Sequence, residues 1–288
     1  MAKLILEKYL QYTSSGRVND PKEYIDYLKT QPRFKNCGFD HIPKHAIILH
    51  DAEVEEHIVR LGYSRSDYRV IETGSTDPNV LYLLYGHDGD PDCIVNRGLP
   101  GGGGISTQAA ELGALGVENM VHIGTCGLVG DEVRTGHVVI ARASYKDGAA
   151  IMLSRPDEEE VQPLAYPDKA LTKALEATLS SGVSITVGCT IPIFYFQPDQ
   201  LIKDLITANY YPSGPPVGYF EMEQASFFQL CQLMDKRAAS MVVGSDRYLL
   251  TDGELRHEFE DFDEDAAKHQ MLKAALAAFK SLEVRASL

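Results

Sequence analysis

Ile123-Gly124-Thr125-Cys126-Gly127 closes the apolar run Met120–Ile123 and follows a glycine tract at Gly101–Gly104. Glycines at the carboxyl end of a strand let the backbone approach a ligand, and the Thr125 hydroxyl can bond an anion or a sugar oxygen. The same residues also suit a tight strand-to-loop turn, and alone they do not choose between the two. Downstream lie two carboxylate-bearing motifs, Glu221-Met222-Glu223 and Gly244-Ser245-Asp246. Partial burial behind the apolar run Met241–Val243 would give Asp246 the raised pKa that a proton donor needs. An N-cap or turn role is the alternative for Asp246. Glu221 and Glu223 can equally be a capping or solvent-facing pair at the start of a helix over Gln224–Met234.

Short apolar runs supply the elements that must hold these groups: Ala46–Leu49, Cys93–Val95, Met120–Ile123, Val138–Ala141, Ile185–Gly188 and Met241–Gly244. Each is short enough for a buried strand, and most have Gly, Asp or Asn close by. Helical spacing alternates with them. Ile105, Ala109, Leu112 and Gly116 share one face of a helix that Ser106 or a preceding glycine starts, as do Leu171, Leu175 and Leu179. Ala267, Met271, Ala274 and Ala278 mark a carboxy-terminal helix beginning near Asp263. Strands alternating with helices predict an α/β sheet covered on both faces, with ligands at the strands' carboxyl ends. Residues 1–40 carry Tyr9, Tyr12, Tyr24 and Tyr27 among many charges. They read as a helical extension packing on an α/β domain of residues 41–288 or on a neighbouring subunit.

The 288 residues suffice for one large domain, and 44% hydrophobic with 24% charged residues is ordinary for a soluble globular chain. A net charge of −14, without a dense Lys/Arg cluster, argues against nucleic acid. The five cysteines are widely spaced and odd in number, which reads as reduced thiols in the cytoplasm. No CxxC or Cys/His spacing suggests zinc, so no metal is expected, and no apolar stretch approaches the ~20 residues of a membrane span. The acidic run Asp157–Glu160 reads as a surface loop, with a metal role as the alternative.

From about His45 to about Lys280 the chain resembles the nucleoside phosphorylases of the purine nucleoside and uridine phosphorylase type, with their hydrolytic relatives, the nucleosidases. The resemblance is carried by Arg97-Gly98-Leu99 with the glycine tract and Ile105–Gly116, then His122–Leu128, Gly136–Ile140 with Asp147-Gly148-Ala149, Phe194-Tyr195, Glu221–Glu223 and Val243–Asp246. It implies a single α/β domain with a mixed, partly barrel-like sheet flanked by helices. It also implies a homo-oligomer, at least a dimer, acting on a small-molecule nucleoside without a cofactor, apart from phosphate as co-substrate in phosphorolysis. By the same resemblance Asp246 protonates or hydrogen-bonds N7 of a leaving purine, and Glu223 accepts the ribose hydroxyls while Met222 packs on the sugar. Phe194 stacks on the base with Tyr195 beside it, and Thr125, Cys126 and Gly127 belong to the cradle. The pyrimidine-reading glutamine and arginine are not both present after Phe194-Tyr195, which tilts the choice toward purine.

The chain departs from the phosphorolytic pattern at its anion site. Its first strand ends in Leu49-His50-Asp51-Ala52-Glu53, and His122 stands where the resemblance implies an arginine. Like charges on Asp51 and Glu53 would repel a dianion. Asp51 or Glu53 is therefore expected to activate a water, with His122 orienting it, which favours hydrolysis. The alternative is phosphorolysis with the anion held by Arg97 or by a partner's Arg65 or Arg69. Two further readings are a non-catalytic nucleoside binder and a dinucleotide fold. The second is weak: Gly101-x-Gly103-x-x-Ser106 lacks the third small residue of that fingerprint, and His122 stands where an acid is required.

Overall fold

A computed structural model describes residues 19–31, 41–73, 79–86, 89–154, 162–179 and 183–286. The run Asp157–Glu160 and most of residues 1–40 lie outside the described residues. The chain builds one mixed sheet of β1 (His45–Leu49), β2 (Tyr68–Thr73), β3 (Asn79–Leu84), β4 (Cys93–Arg97), β5 (Asn119–Val129), β6 (Val138–Tyr145), β7 (Leu164–Ala165), β8 (Val183–Thr190), β9 (Tyr219–Glu221), β10 (Arg237–Thr251) and β11 (Glu254–Phe259). Its order is β11-β10-β6-β8-β9-β5-β1-β4-β3-β2, with β7 on β6. Because β10 also pairs with β5, the strands β5, β10, β6, β8 and β9 close into a barrel. The expected α/β architecture with a partly barrel-like sheet is the one found.

The helices are α1 (Pro21–Thr30), α2 (Val54–Arg60), α3 (Gly101–Leu115), α4 (Gly148–Met152), α5 (Lys169–Thr178), α6 (Asp199–Ile206), α7 (Gln224–Leu233) and α8 (Glu264–Ala286). Two apolar layers result. On one face Ile47, Leu49, Val121, Ile123, Met241 and Val243 meet Met271, Ala275 and Phe279 of α8 and Leu171 of α5. On the other, Ala46, Ile48, Ile94 and Met120 meet Ile105, Ala109 and Leu112 of α3 and Phe227 and Phe228 of α7. Strand residues of alternating parity feed the two layers, as a buried parallel sheet requires. Within residues 1–40, Ile25 and Leu28 of α1 pack on Ala114 and Leu115 of α3.

Strands β1, β5 and β10 run parallel in register, with Leu49 beside Ile123 and Ile123 beside Met241. Their carboxyl ends therefore open on the same side of the sheet. Past that level the β10–β5 ladder shifts register: Gly244 pairs with Cys126 and Asp246 with Gly127, leaving Ser245 as an extra residue. Such a bulge re-aims the side chains that follow it.

Candidate active site

A cavity of about 490 Å³ lies where these strands end. Its wall comprises His50 after β1, Gly124–Gly127 of β5, and Phe194, Tyr195 and Gln197 after β8. Phe220–Glu223 at β9, Ser245, Asp246 and Tyr248 of β10, and His257 and Phe259 of β11 complete it. The cradle Thr125-Cys126-Gly127 and the groups Met222, Glu221, Glu223, Phe194, Tyr195 and Asp246 are thus brought together from more than a hundred residues of chain.

The bulged end of β10 fixes Asp246. Ser245 Oγ donates to one carboxylate oxygen at 2.6 Å, and His257 Nε2 lies 2.7 Å from the other. The His257 ring is stacked on Tyr248, 4.0 Å between centroids, because Tyr248 and His257 face each other across the β10–β11 hairpin. Gly188 and Gly127 make room beside this wall: a Cβ at Gly188 would lie 2.6 Å from the buried Tyr219 ring, and one at Gly127 would lie 2.8 Å from Phe220.

Glu221 and Glu223 do different work. Glu221 is buried, and it accepts the backbone N–H of Glu223 at 2.6 Å, that of Gln224 at 2.7 Å and the Thr190 hydroxyl at 2.5 Å. It caps α7, which is the capping alternative realised. Burial, reinforced by the Glu223 charge, pushes its carboxyl up against those donors. Glu223 turns the other way and accepts the Gly101 N–H at 2.6 Å and the Met222 N–H at 3.2 Å, so it anchors the start of α3. Burial raises its carboxyl as well. Each oxygen of Glu223 keeps one lone pair for a ligand.

At the same end of the cavity, His50 leaves β1 with its N–H on Ile123 O at 2.8 Å and its ring against Gly98, where a Cβ would come within 2.2 Å of the imidazole. Its ring meets His122 edge-on, 4.9 Å between centroids. His122 is buried behind His50, with Nδ1 2.8 Å from Ser240 Oγ. Burial, with a contribution from the Lys268 charge, lowers His50 to about 4, and burial holds His122 down too, so both rings are neutral. Burial pushes the Cys126 thiol up, which leaves it an inert wall.

Four expected site residues are not on the wall, the first being His122, buried behind His50. One residue past His50 the chain turns outward, and Asp51 Oδ2 is taken by Lys268 Nζ of α8 at 2.7 Å and by His57 Nε2 of α2 at 3.2 Å. Glu53 is exposed at the start of α2, its side chain making no cap. Arg97 at the end of β4 is exposed, and its carbonyl accepts Gln108 Nε2 at 2.6 Å. Sequence reasoning missed His50 and His257. The first is adjacent to the flagged Asp51. The second was detectable through Asp252-Gly253, a two-residue turn signal between strand-like runs.

Residues 44–280 match the model of the phosphorylase superfamily, most of the chain. The chain belongs to that superfamily. Among curated proteins it is similar to a DeoD-type purine nucleoside phosphorylase of Listeria monocytogenes, 31% identical over 131 residues, 45% of this chain and 52% of that protein. It also resembles a guanosine phosphorylase of Halorubrum lacusprofundi, 27% identical over 192 residues, 63% of this chain and 75% of that protein. The match to the Listeria relatives thus spans about half of their length. In fold, this superfamily member resembles the crystal structure of a Toxoplasma gondii purine nucleoside phosphorylase in complex with immucillin-H. There the TM-score is 0.67 at 17% identity, covering 86% of this chain and 94% of that one. A Vibrio fischeri uridine phosphorylase superposes at a TM-score of 0.60 with 15% identity, over 87% of this chain and 95% of that one. Among the described residues no helix is long and apolar enough to cross a membrane.

Proposed function

We propose that this chain is an enzyme that cleaves the N-glycosidic bond of a nucleoside, with a preference for purines, and passes the sugar to water. The carrying observation is the pairing of Asp246 with His257 at one wall of the cavity and the presence of Glu223 and His50 at another, with no Lys or Arg among the described lining residues. In this reading the C1′–N bond breaks with its electron pair leaving on the base, and Asp246 supplies a hydrogen bond or proton to N7. His257 links that carboxylate to the mouth of the cavity, a route for proton return. Glu223 orients the sugar hydroxyls and offsets positive charge on the sugar. A water oriented by the His50 lone pair bonds to C1′ and gives up its proton to solvent. With Asp51 committed to Lys268, the imidazoles rather than the acids of that turn hold the water. Phe194 and Tyr195, 66% and 74% exposed, suit base stacking rather than a core role. Exposed aromatics at the rim fit an assembly of at least two copies.

Phosphorolysis is the second reading, favoured by the names of the relatives. Incubating purine and pyrimidine nucleosides with and without millimolar phosphate, and resolving free ribose from ribose 1-phosphate, separates the two. The expected products are free base and free ribose at a rate indifferent to phosphate. Stoichiometric ribose 1-phosphate with a rate saturating in phosphate would overturn hydrolysis.

A further inference from the structure

Two imidazole nitrogens in this molecule are buried at one spot without a partner: His50 Nε2 and His122 Nε2. Ligand atoms of His50, His122 and Glu223 lie within 4.8 Å of one another. We propose that these three side chains form a binding site for one divalent transition-metal cation of the Zn²⁺ type, at the sugar end of the cavity. Two neutral nitrogens and one carboxylate are a donor set that such cations take, with open positions left for water or a substrate oxygen.

The surroundings orient the donors. Tyr219 Oη donates to Gln224 Oε1 at 2.6 Å, which turns the amide so that Gln224 Nε2 donates to Ser240 Oγ at 2.9 Å. That leaves Ser240 Oγ a second lone pair that can accept Nδ1–H of His122, 2.8 Å away, and in this tautomer Nε2 is bare toward His50. A hydrogen bond behind a ligating imidazole is the usual means of fixing its tautomer and aim. His50 is held by the absence of a side chain at Gly98. Glu223 keeps a lone pair on each oxygen after accepting from Gly101 and Met222. The other such cluster among the described residues, Asp51, His57 and Asp265, already holds the Lys268 ammonium on Asp51. Spacing along the sequence hides the site, because its donors come from three separate elements: the residue after β1, the interior of β5 and the N-cap of α7.

The site shares Glu223 and His50 with the reading above, but its test reads the metal itself, so each can fail alone. The full chain, stripped with chelator, is titrated with Zn²⁺ by calorimetry and with Co²⁺ by visible absorption. One equivalent is expected, with d–d bands of an imidazole-bound Co²⁺. His50→Gln and His122→Asn should each weaken binding by about 100-fold or more, beyond the effect of an outer partner. His57→Asn should leave it unchanged. Should His122→Asn fail to fold by circular dichroism, His50→Gln at the cavity wall decides alone. No binding by the native chain, or binding indifferent to His50→Gln, overturns the proposal.

Discussion

Asp51 separates two ways of reading the turn after β1. If its carboxylate is a brace rather than a base, Asp51→Asn should destabilise the fold and leave the chemistry. Burial pushes this carboxyl up, but hydrogen bonds from Lys268 and the Glu53 N–H, the Lys268 charge and His57 more than offset it, leaving the group at about 2 against an ordinary 3.8. The side chains of Asp51 and Lys268 are only 11% and 6% exposed. At about 1.36 kcal/mol per tenfold change in proton affinity, the pairing contributes about 2 kcal/mol at neutral pH. Asparagine keeps the Glu53 contact but leaves Lys268 leaning on Glu264 alone, so a loss of about 2–3 kcal/mol is expected. The folded-state pKa is depressed, so this stability is present above pH 3.8 and disappears as pH falls through about 2. Urea unfolding of wild type and variant should therefore differ fully at pH 7 and converge between pH 4 and pH 2. Base release per folded molecule should stay within about threefold of wild type. Equal stability at pH 7, or a stable variant whose turnover falls a hundredfold, would refute the brace and restore Asp51 as a base.

Asp246→Asn removes the acid and keeps the shape, so base release from a purine nucleoside should drop by about two or more orders of magnitude with little change in affinity, as steady-state kinetics would read. Gly188→Ala places a methyl group 2.6 Å from the buried Tyr219 ring and should destabilise by about 1–3 kcal/mol in urea unfolding. Cys126, its thiol pushed up by burial, should resist a thiol reagent at pH 8 in the native protein and react once the chain is unfolded.

The barrel was legible where the apolar runs were long and was not where closure depended on short pieces. β1, β4 and β6 begin within one residue of the expected runs, because fully buried strands are continuous apolar segments. β9, only Tyr219–Glu221, is too short to show a period, yet it closes the ring between β8 and β5. β10 was expected to end at Gly244 but continues to Thr251, since its outer half pairs with β11 and carries charge on a partly exposed face. The cradle and Asp246 could be placed because each follows an apolar run that sets where the chain emerges, whereas the Glu-Met-Glu motif rested on the family resemblance alone. Asp51 and Glu53 could not: whether a side chain after a strand end turns inward or outward depends on Lys268, which is remote in sequence.

Glu223 sits at the junction of the site and the fold. Helix α3 opens with Gly101–Gly104, residues that stiffen a helix least, so its first turn depends on that one carboxylate for its anchor. A sugar hydroxyl or a cation that draws on Glu223 thus competes with, or reinforces, the closing of this turn. Occupancy of the cavity becomes a matter of local breathing as well as of contact, and amide exchange at the head of α3 reports what the cavity holds.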